Sequence, residues 1–373
     1  MFAEPYRIDD PSSVISPGLV FFKDLIRANL ARTIEMAGGP ERLRPHCKTH
    51  KCQEIIEMEV AAGISRHKVA TLAEAEMAVR GGAKDVLLAY PMVGPNIQRV
   101  ARFAARFPEV RFSIIADHPD PVQDLSREMA KTGRQVEVLL DLDVGQHRTG
   151  IAAGEGATAL YQSLAKLPGI APGGLHVYDG HLHMESIAER ERAVNEQMAH
   201  VLVFRDKLLG TGLPVPRIVA GGTPTFPIYA RMNLAGLECS PGTLVLHDHN
   251  YRSRFPDLAS FIPAALVLTR VVSRPTSDRV TLDLGYKAVA SDSPAGKRLA
   301  LLGIQEYQCV LQNEEHLVVE TPEASRFRPG DELLAIPAHV CPTVALHQKA
   351  HVIEKGKVAT TWEIVGRDRM LTI

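Results

Sequence analysis

Residues 43–51 read Leu43-Arg-Pro-His-Cys-Lys-Thr-His-Lys51. The run Leu43 to Lys48 has the composition of a short strand. No glycine-rich GxGxxG turn follows it, as one would in a dinucleotide-binding open sheet. A lysine stands there instead: Lys48, flanked by His46 and His50 with Lys51 beyond. An amine at a strand end can be partly desolvated, and here it also has cationic neighbours. Both effects disfavour the ammonium form and make a better nucleophile towards an aldehyde. An ordinary basic turn would look the same on these residues alone, so the surrounding chain has to decide.

Working outward, strand-like runs alternate with helical patterns. The strands are expected at Leu43–Lys48, His67–Thr71, Asp85–Tyr90, Arg111–Ala116, Val136–Leu142, Gly173–Tyr178, Arg217–Gly221 and Leu237–Ser240. Between them, Leu72–Arg80, Asn96–Arg106, Pro119–Lys131, Ala157–Leu167 and Ile187–Leu209 carry apolar residues at helical spacing, as in Ala157, Leu160, Tyr161 and Leu164. Eight strands with intervening helices point to an α/β fold, a closed parallel (β/α)8 TIM-like barrel. A doubly wound open sheet is the alternative. After about Pro256 the pattern changes to strands, expected at Val267–Arg274, Arg279–Leu284, Ile304–Gln312, Leu317–Glu320, Glu332–His339, Ala350–Glu354 and Lys357–Trp362 and joined by turns such as Arg328-Pro-Gly-Asp331, which reads as a smaller all-β domain. The division expected is a barrel over 24–256 and a β domain made of 1–23 plus 257–373. The run Gly18–Phe22 has a strand's composition and precedes a helix at Asp24–Met36, so it pairs with the β domain more naturally than it opens the barrel.

Composition excludes several classes. The chain has 373 residues and a formal net charge of -1, so it has no basic footprint for nucleic acid or an anionic membrane. No apolar run approaches a bilayer span, and the first residues lack a signal-peptide pattern. Five scattered cysteines (Cys47, Cys52, Cys239, Cys309, Cys341) suit free thiols in a reducing cytoplasm.

In a barrel of this kind the chemistry sits at the C-terminal strand ends, and phosphate is commonly held after the seventh and eighth strands. The seventh runs into Gly221-Gly222-Thr223 and the eighth into Ser240-Pro-Gly242-Thr243. Both supply small residues, exposed N–H groups and hydroxyls able to cradle a phosphate. A lysine that can form an imine, facing a phosphate cradle, describes a site for pyridoxal 5′-phosphate (PLP). Arg148, after the fifth strand, could lie near the pyridine ring or its phenolate oxygen. Its bland reading is an ion pair with Asp141 or Asp143. Tyr178, after the sixth, could bond the phosphate or stack near the ring.

The successive motifs RPHCKTHK, DVGQHRTG, HVYDGHLH, AGGTPTF and ECSPGT, from about Pro17 to the C-terminus, resemble those of the D-threonine aldolase and D-serine dehydratase group, within the fold-type III (alanine racemase-like) PLP enzymes. The resemblance implies that Lys48 is the cofactor-bearing lysine and that a β domain, joined by the first β-run, follows the barrel. It also implies a homodimer with its active site near the interface.

The β domain carries Pro337-Ala-His-Val-Cys-Pro-Thr343. In an extended run His339 and Cys341 would face the same way and could share one divalent metal, sulfur favouring zinc. Two unrelated residues are the bland reading. The resemblance implies a two-ligand metal site, for zinc, manganese or magnesium. The pairs His181/His183 and His247/His249 could also bind metal but read better as strand-end residues. The expected substrate is a D-β-hydroxy amino acid, cleaved by retro-aldol to glycine and an aldehyde, with Lys48, Arg148 and a site histidine such as His50 in catalytic roles. Cys341 resembles the dehydratases, where family aldolases place an aspartate; AGGTPTFPIYA, ECSPGTLVLHDHNY and LDLGYKAVASD resemble the aldolase branch. A D-serine or D-3-hydroxyaspartate dehydratase is therefore the alternative. A PLP-free barrel hydrolase using the histidine pairs, and a non-catalytic PLP carrier, are the readings from other classes.

Overall fold

The computed structural model describes residues 4–373. The chain divides into two units: one comprises the chain up to Arg32, Thr49–Cys52 and Thr243–Ile364, the other Thr33–Lys48, Gln53–Gly242 and Val365–Ile373. The chain thus crosses between units at the Lys48–Thr49 peptide bond. Among the described residues no helix is long and apolar enough to cross a membrane.

Strand β1 (Gly18–Phe22) and helix α1 (Lys23–Ala37) come first. The barrel unit then alternates helices with parallel strands: α2 (Gln53–Ala61), β2 (Arg66–Val69), α3 (Leu72–Arg80), β3 (Asp85–Leu88), α4 (Pro95–Arg106), β4 (Arg111–Ala116), α5 (Pro119–Thr132), β5 (Val136–Leu142), α6 (Glu155–Leu164), β6 (Ile170–Val177), α7 (Ile187–Gly210), β7 (Ile218–Ala220), α8 (Phe226–Arg231) and β8 (Leu237–Cys239). The strands pair in sequence order from β2 to β8. They are almost wholly buried, which is why they read as apolar runs without alternation. Helix starts are set locally. At α3, Thr71 Oγ1 accepts the Glu74 N–H at 3.1 Å and Glu74 Oε2 accepts the Ala70 N–H at 2.7 Å, a reciprocal cap.

The expected first strand, Leu43–Lys48, is reduced to isolated parallel bridges from Leu43 to Cys239 and from His46 to Lys68. Pro45 has no N–H to give a ladder. The segment still closes the ring: Arg44 N donates to Cys239 O, and Cys47 N to Lys68 O, both at 2.8 Å. Lys68 N returns a bond to Pro45 O, also at 2.8 Å. The fully buried Arg44 side chain fastens it, with Nε on Glu238 Oε2 at 2.5 Å and Nη1 on Asp85 Oδ1 at 2.8 Å.

The β unit is one connected sheet system. Its strands are β1 and β9 (Ala265–Thr276), β10 (Arg279–Leu282), β11 (Leu299–Leu302), β12 (Gln308–Gln312), β13 (Leu317–Glu320), β14 (Glu332–Pro337), β15 (Lys349–Glu354) and β16 (Lys357–Glu363), with helices α9 (His249–Arg254) and α10 (Val340–Leu346). The order is β12-β13-β10-β9-β1-β15-β16, and β14 bridges β9 and β11. β1 lies antiparallel to β9 and parallel to β15. Successive β9 residues feed opposite apolar clusters, Leu266 and Leu268 into one and Val267 and Val271 into the other, as the two-residue period of a strand requires.

Three details differ from the sequence expectations. Most of α1 and residues 243–256 group with the β unit and not with a barrel over 24–256. There Asn29 Nδ2 donates to Ile262 O at 2.8 Å and to Val245 O at 3.3 Å. The strand expected to reach His339 stops at Pro337, and His339 caps α10. Pro342 suits the first turn of that helix, where a missing N–H costs nothing. β11 carries none of the expected strands, because the apolar tetrad LALL fits either period.

The ring closure generates a prediction. Replacing Arg44 by Met removes the buried partner of Glu238 and Asp85 and leaves them only the more exposed Arg66 and Arg111, so apoprotein stability should fall by about 3 kcal/mol. Urea unfolding followed by circular dichroism measures this.

Candidate active site

The groups singled out after β5, β6 and β7 converge with Lys48 on one aromatic ring. The Tyr178 centroid lies 5.8 Å from Lys48 Nζ, 6.0 Å from Lys68 Nζ and 4.7 Å from Arg148 Cζ. Two glycines fix the ring's place. A β-carbon on Gly180 would fall 2.5 Å from the Tyr178 hydroxyl oxygen, so only glycine lets the ring fold back there. On the other side, a β-carbon on Gly222 would stand 3.4 Å from Tyr178 Cε2.

The two phosphate-loop candidates are joined to each other. Gly221 has φ +83°, and its N–H is spent on Val177 O at 2.9 Å. Gly222 N donates to Thr225 Oγ1 at 3.1 Å, and Gly242 N to Thr223 Oγ1 at 3.2 Å. Ser240 Oγ donates to Arg44 O at 2.9 Å, so that hydroxyl anchors the ring-closing segment. Thr243 falls in the β unit, its Oγ1 3.8 Å from Cys341 Sγ and not with the glycine turns. His50 is buried in the β unit, and its Nδ1 accepts the Cys52 N–H at 3.2 Å.

Beneath the ring lies a layer that the motifs did not announce. Lys68, on β2, is 2% exposed, and burial with Lys48 nearby pushes its amine down to about 7. Among the described residues Asp141 pairs with no arginine: its Oδ1 pairs with His176 Nδ1 at 2.6 Å and its Oδ2 accepts the Thr149 hydroxyl at 2.9 Å. Asp143 likewise pairs with His147 at 2.8 Å, leaving Arg148 exposed over Tyr178. Burial holds His176 below its ordinary value, and its buried Nε2 has no hydrogen-bond partner. Asp179 is raised to about 6 by burial; it accepts the Thr225 hydroxyl and the Tyr229 hydroxyl, each at 2.9 Å.

This donor set fits PLP. An aldehyde needs an amine, a phenolate and a phosphate need cations, and a flat ring needs an aromatic face. Lys48, Lys68, Arg148 and Tyr178 supply these in one place.

In the β unit, His339 and Cys341 do meet, through the helix start and not through an extended run. Burial works against the Cys341 thiolate, but the hydrogen bond and charge of His339, with the Thr49 hydroxyl, leave the thiol below its ordinary value. Thr49 Oγ1 is 3.2 Å from Cys341 Sγ. Burial also works against the His339 imidazolium, yet Cys341 and Asp292 raise it to about 9. His339 Nδ1 lies 2.5 Å from Asp292 Oδ2. A thiolate beside an imidazole whose other nitrogen is held by a carboxylate fits a soft divalent ion. The other histidines do not gather into such a set. His247 is buried against Phe261, centroids 5.8 Å apart, and burial drives it down to about 3. Among the described residues, no grouping of three with metal-ligand spacing includes His181, His183, His247 or His249.

Fold and site together define a PLP-binding barrel enzyme of the alanine racemase type. The family model for the alanine racemase N-terminal domain matches residues 23–246, and that of a putative serine dehydratase domain matches residues 264–353. The D-threonine aldolase of an Arthrobacter species is 30% identical over 97% of this chain and 96% of its own length. The D-threo-3-hydroxyaspartate dehydratase of Delftia sp. (strain HT23) is 26% identical over 93% of this chain and 96% of its own. The crystal structure of the D-threonine aldolase from Filomicrobium marinum superposes with a TM-score of 0.87 at 26% identity, covering 95% of this chain and 96% of that one. The chain belongs to the D-threonine aldolase and D-serine dehydratase family of fold-type III PLP lyases.

Asp292 is the residue most open to a clean test. Changing Asp292 to Asn should weaken zinc binding roughly 10-fold or more, by loosening the orientation of His339. Titration calorimetry with zinc on the otherwise intact protein reads this directly.

Proposed function

We propose that the protein is a PLP- and divalent-metal-dependent D-threonine aldolase, cleaving D-β-hydroxy-α-amino acids to glycine and an aldehyde. The observation that carries the reading is the convergence of Lys48, Arg148 and the Gly222 turn on the Tyr178 ring. Overall likeness to the Arthrobacter aldolase supports it. The family resemblance extends it to a homodimer, and the scattered cysteines extend it to a reducing cytoplasm.

When bound, PLP supplies a sink for the electron pair left on Cα, and the divalent ion supplies a Lewis acid for the β-hydroxyl. When PLP is bound, the Lys48 amine would carry it, the Gly222-Thr223 and Ser240-Gly242 turns would lie on its phosphate side, and the Arg148 guanidinium would supply positive charge to its anionic groups. Asp179, fixed by Thr225 and Tyr229, and the Asp141–His176 pair keep the layer beneath from moving. His339 and Cys341 hold the ion, with Asp292 fixing the imidazole. With the cofactor bound, the Lys48 amine would be the group that gives a proton to Cα, matching the hydroxyl proton that a histidine of the site would take up as the aldehyde forms.

The same parts permit a dehydratase. If the Lys48 amine removes the Cα proton instead, the hydroxyl leaves as water, and hydrolysis gives an α-keto acid and ammonia. Cys341 as the second metal ligand favours this second reading, as does the likeness to the Delftia dehydratase.

Incubation of the holoenzyme with D-threonine should yield glycine and acetaldehyde in equal amounts, and with D-serine little pyruvate. Pyruvate and ammonia from D-serine, with no glycine from D-threonine, would reverse the choice. Changing Lys48 to Ala should abolish the borohydride-bleached visible band and lower turnover by at least about 10³-fold. Wild-type protein lacking that band would remove the PLP reading altogether.

A further inference from the structure

The second amine beside Lys48 is one of the cations of the site, but no counter-charge has been assigned to it. Lys68 sits on β2, opposite the ring-closing segment, and is 2% exposed. Among the described residues its Nζ has neither a hydrogen-bond acceptor nor an ion-pair partner; it lies over the Tyr178 ring, 6.0 Å from the centroid. Lys48 Nζ faces the same ring at 5.8 Å. Holding an unpaired amine in an interior is costly unless something arrives to share its charge. The charged groups around it are Lys48 and Arg44, which oppose its proton, and Asp141 and Asp179, which favour it. Arg148 and His176 complete the surroundings.

We propose that Lys68 is a cofactor-facing cation, the charge partner of the anionic oxygen next to the linkage that Lys48 makes with PLP. The inference rests on Lys48 carrying the cofactor. The chemistry of PLP supplies the link: the carbon joined to the lysine nitrogen neighbours the ring carbon that bears the phenolate oxygen. An ammonium close to Lys48 Nζ therefore faces that oxygen or the linkage nitrogen. In either place it opposes protonation of the linkage and lowers the pH at which the linkage gains its proton. In the apoprotein the Lys48 ammonium suppresses charge on Lys68, and once Lys48 is linked that suppression is relieved. Lys68 is thus a positioning residue, tuning the cofactor electrostatically without bonding to substrate carbon.

The test is a spectrophotometric pH titration of the visible band in the holoenzyme, for wild type, Lys68→Met and Lys68→Arg. Lys68→Met should raise the midpoint by about one pH unit or more, the scale of a removed neighbouring charge. Lys68→Arg should keep it near the wild-type value. A midpoint unchanged in Lys68→Met overturns the inference alone, leaving the Lys48 reading intact. Absence of any bleachable band in wild type overturns both. Misfolding is not a confound. The native amine titrates near 7 against 10.5 when free, so the cost of its charge is complete below pH 7 and vanishes only as pH climbs to 10.5. Lys68→Met apoprotein at pH 6 should accordingly melt no lower than wild type, as calorimetry can check.

Discussion

The site depends on how the barrel closes. Between β8 and β2 there is no eighth strand but a segment interrupted by Pro45, pinned by a few backbone bonds and one buried guanidinium. A regular strand would spend every N–H and C=O on its neighbours. This one leaves its ladder after His46 and turns, and Lys48 stands at that turn. The ion pairs of Arg44 replace the missing ladder. They hold the segment from the opposite end of the strands, where Arg66 on Glu238 and Arg111 on Glu137 add to the same belt. Stability and chemistry are thereby separated along the strand axis, as the general architecture of such barrels allows.

The mouth is an electrostatic device biased towards an anion. Lys48, Lys68 and Arg148 surround one aromatic face, while the nearby carboxylates are committed elsewhere. Asp141 is spent on His176 and Thr149, and Asp179 on Thr225 and Tyr229. Those commitments keep the acids from bonding directly to the cations, although their charges still favour the Lys68 proton. Burial lifts Asp179 to about 6, which weakens it further as a counter-ion. A dianionic phosphate with a phenolate balances such a mouth; a neutral ligand would leave buried charge uncompensated.

What could be read from the chain was local chemistry. Lys48, the Gly221-Gly222 turn, Arg148 and Tyr178 each stand at a strand end within a short motif, so their placement followed once strands were counted. Lys68 was hidden inside an expected strand, where alternation gives no hint that a lysine faces inward on a fully covered sheet. Asp179 and Asp292 matter through partners 46 or more residues away, Thr225 and His339, a relation no local pattern carries. His339 and Cys341 were found as a pair for the wrong geometric reason. Two residues apart in a strand share a face, but a helix starts at Val340, and the pair converges across its cap instead. Thr243 looked like a loop hydroxyl after the last barrel strand, yet the chain changes unit between Gly242 and Thr243.

The cysteine ligand shows how the β unit settles its own protonation. A buried thiol would by itself be raised, as Cys309 and Cys239 are, the latter to about 12. Cys341 goes the other way because His339 shares its proton and Asp292 in turn holds His339. The three form a relay in which an exposed carboxylate stabilises an imidazolium, and the imidazolium stabilises a thiolate. A divalent cation bound as proposed would meet a thiol already eased towards its ionised form and would displace the imidazole proton. Asp248 closes the arrangement from below: its carboxylate accepts the Tyr251 N–H at 2.9 Å and the Val340 N–H at 3.2 Å, tying the starts of α9 and α10 together. The metal pair therefore rests on backbone held by a side chain from the segment after the last barrel strand. That dependence is why a pattern as short as HxC, read without its tertiary partners, could suggest the ligands but not the geometry that makes them ligands.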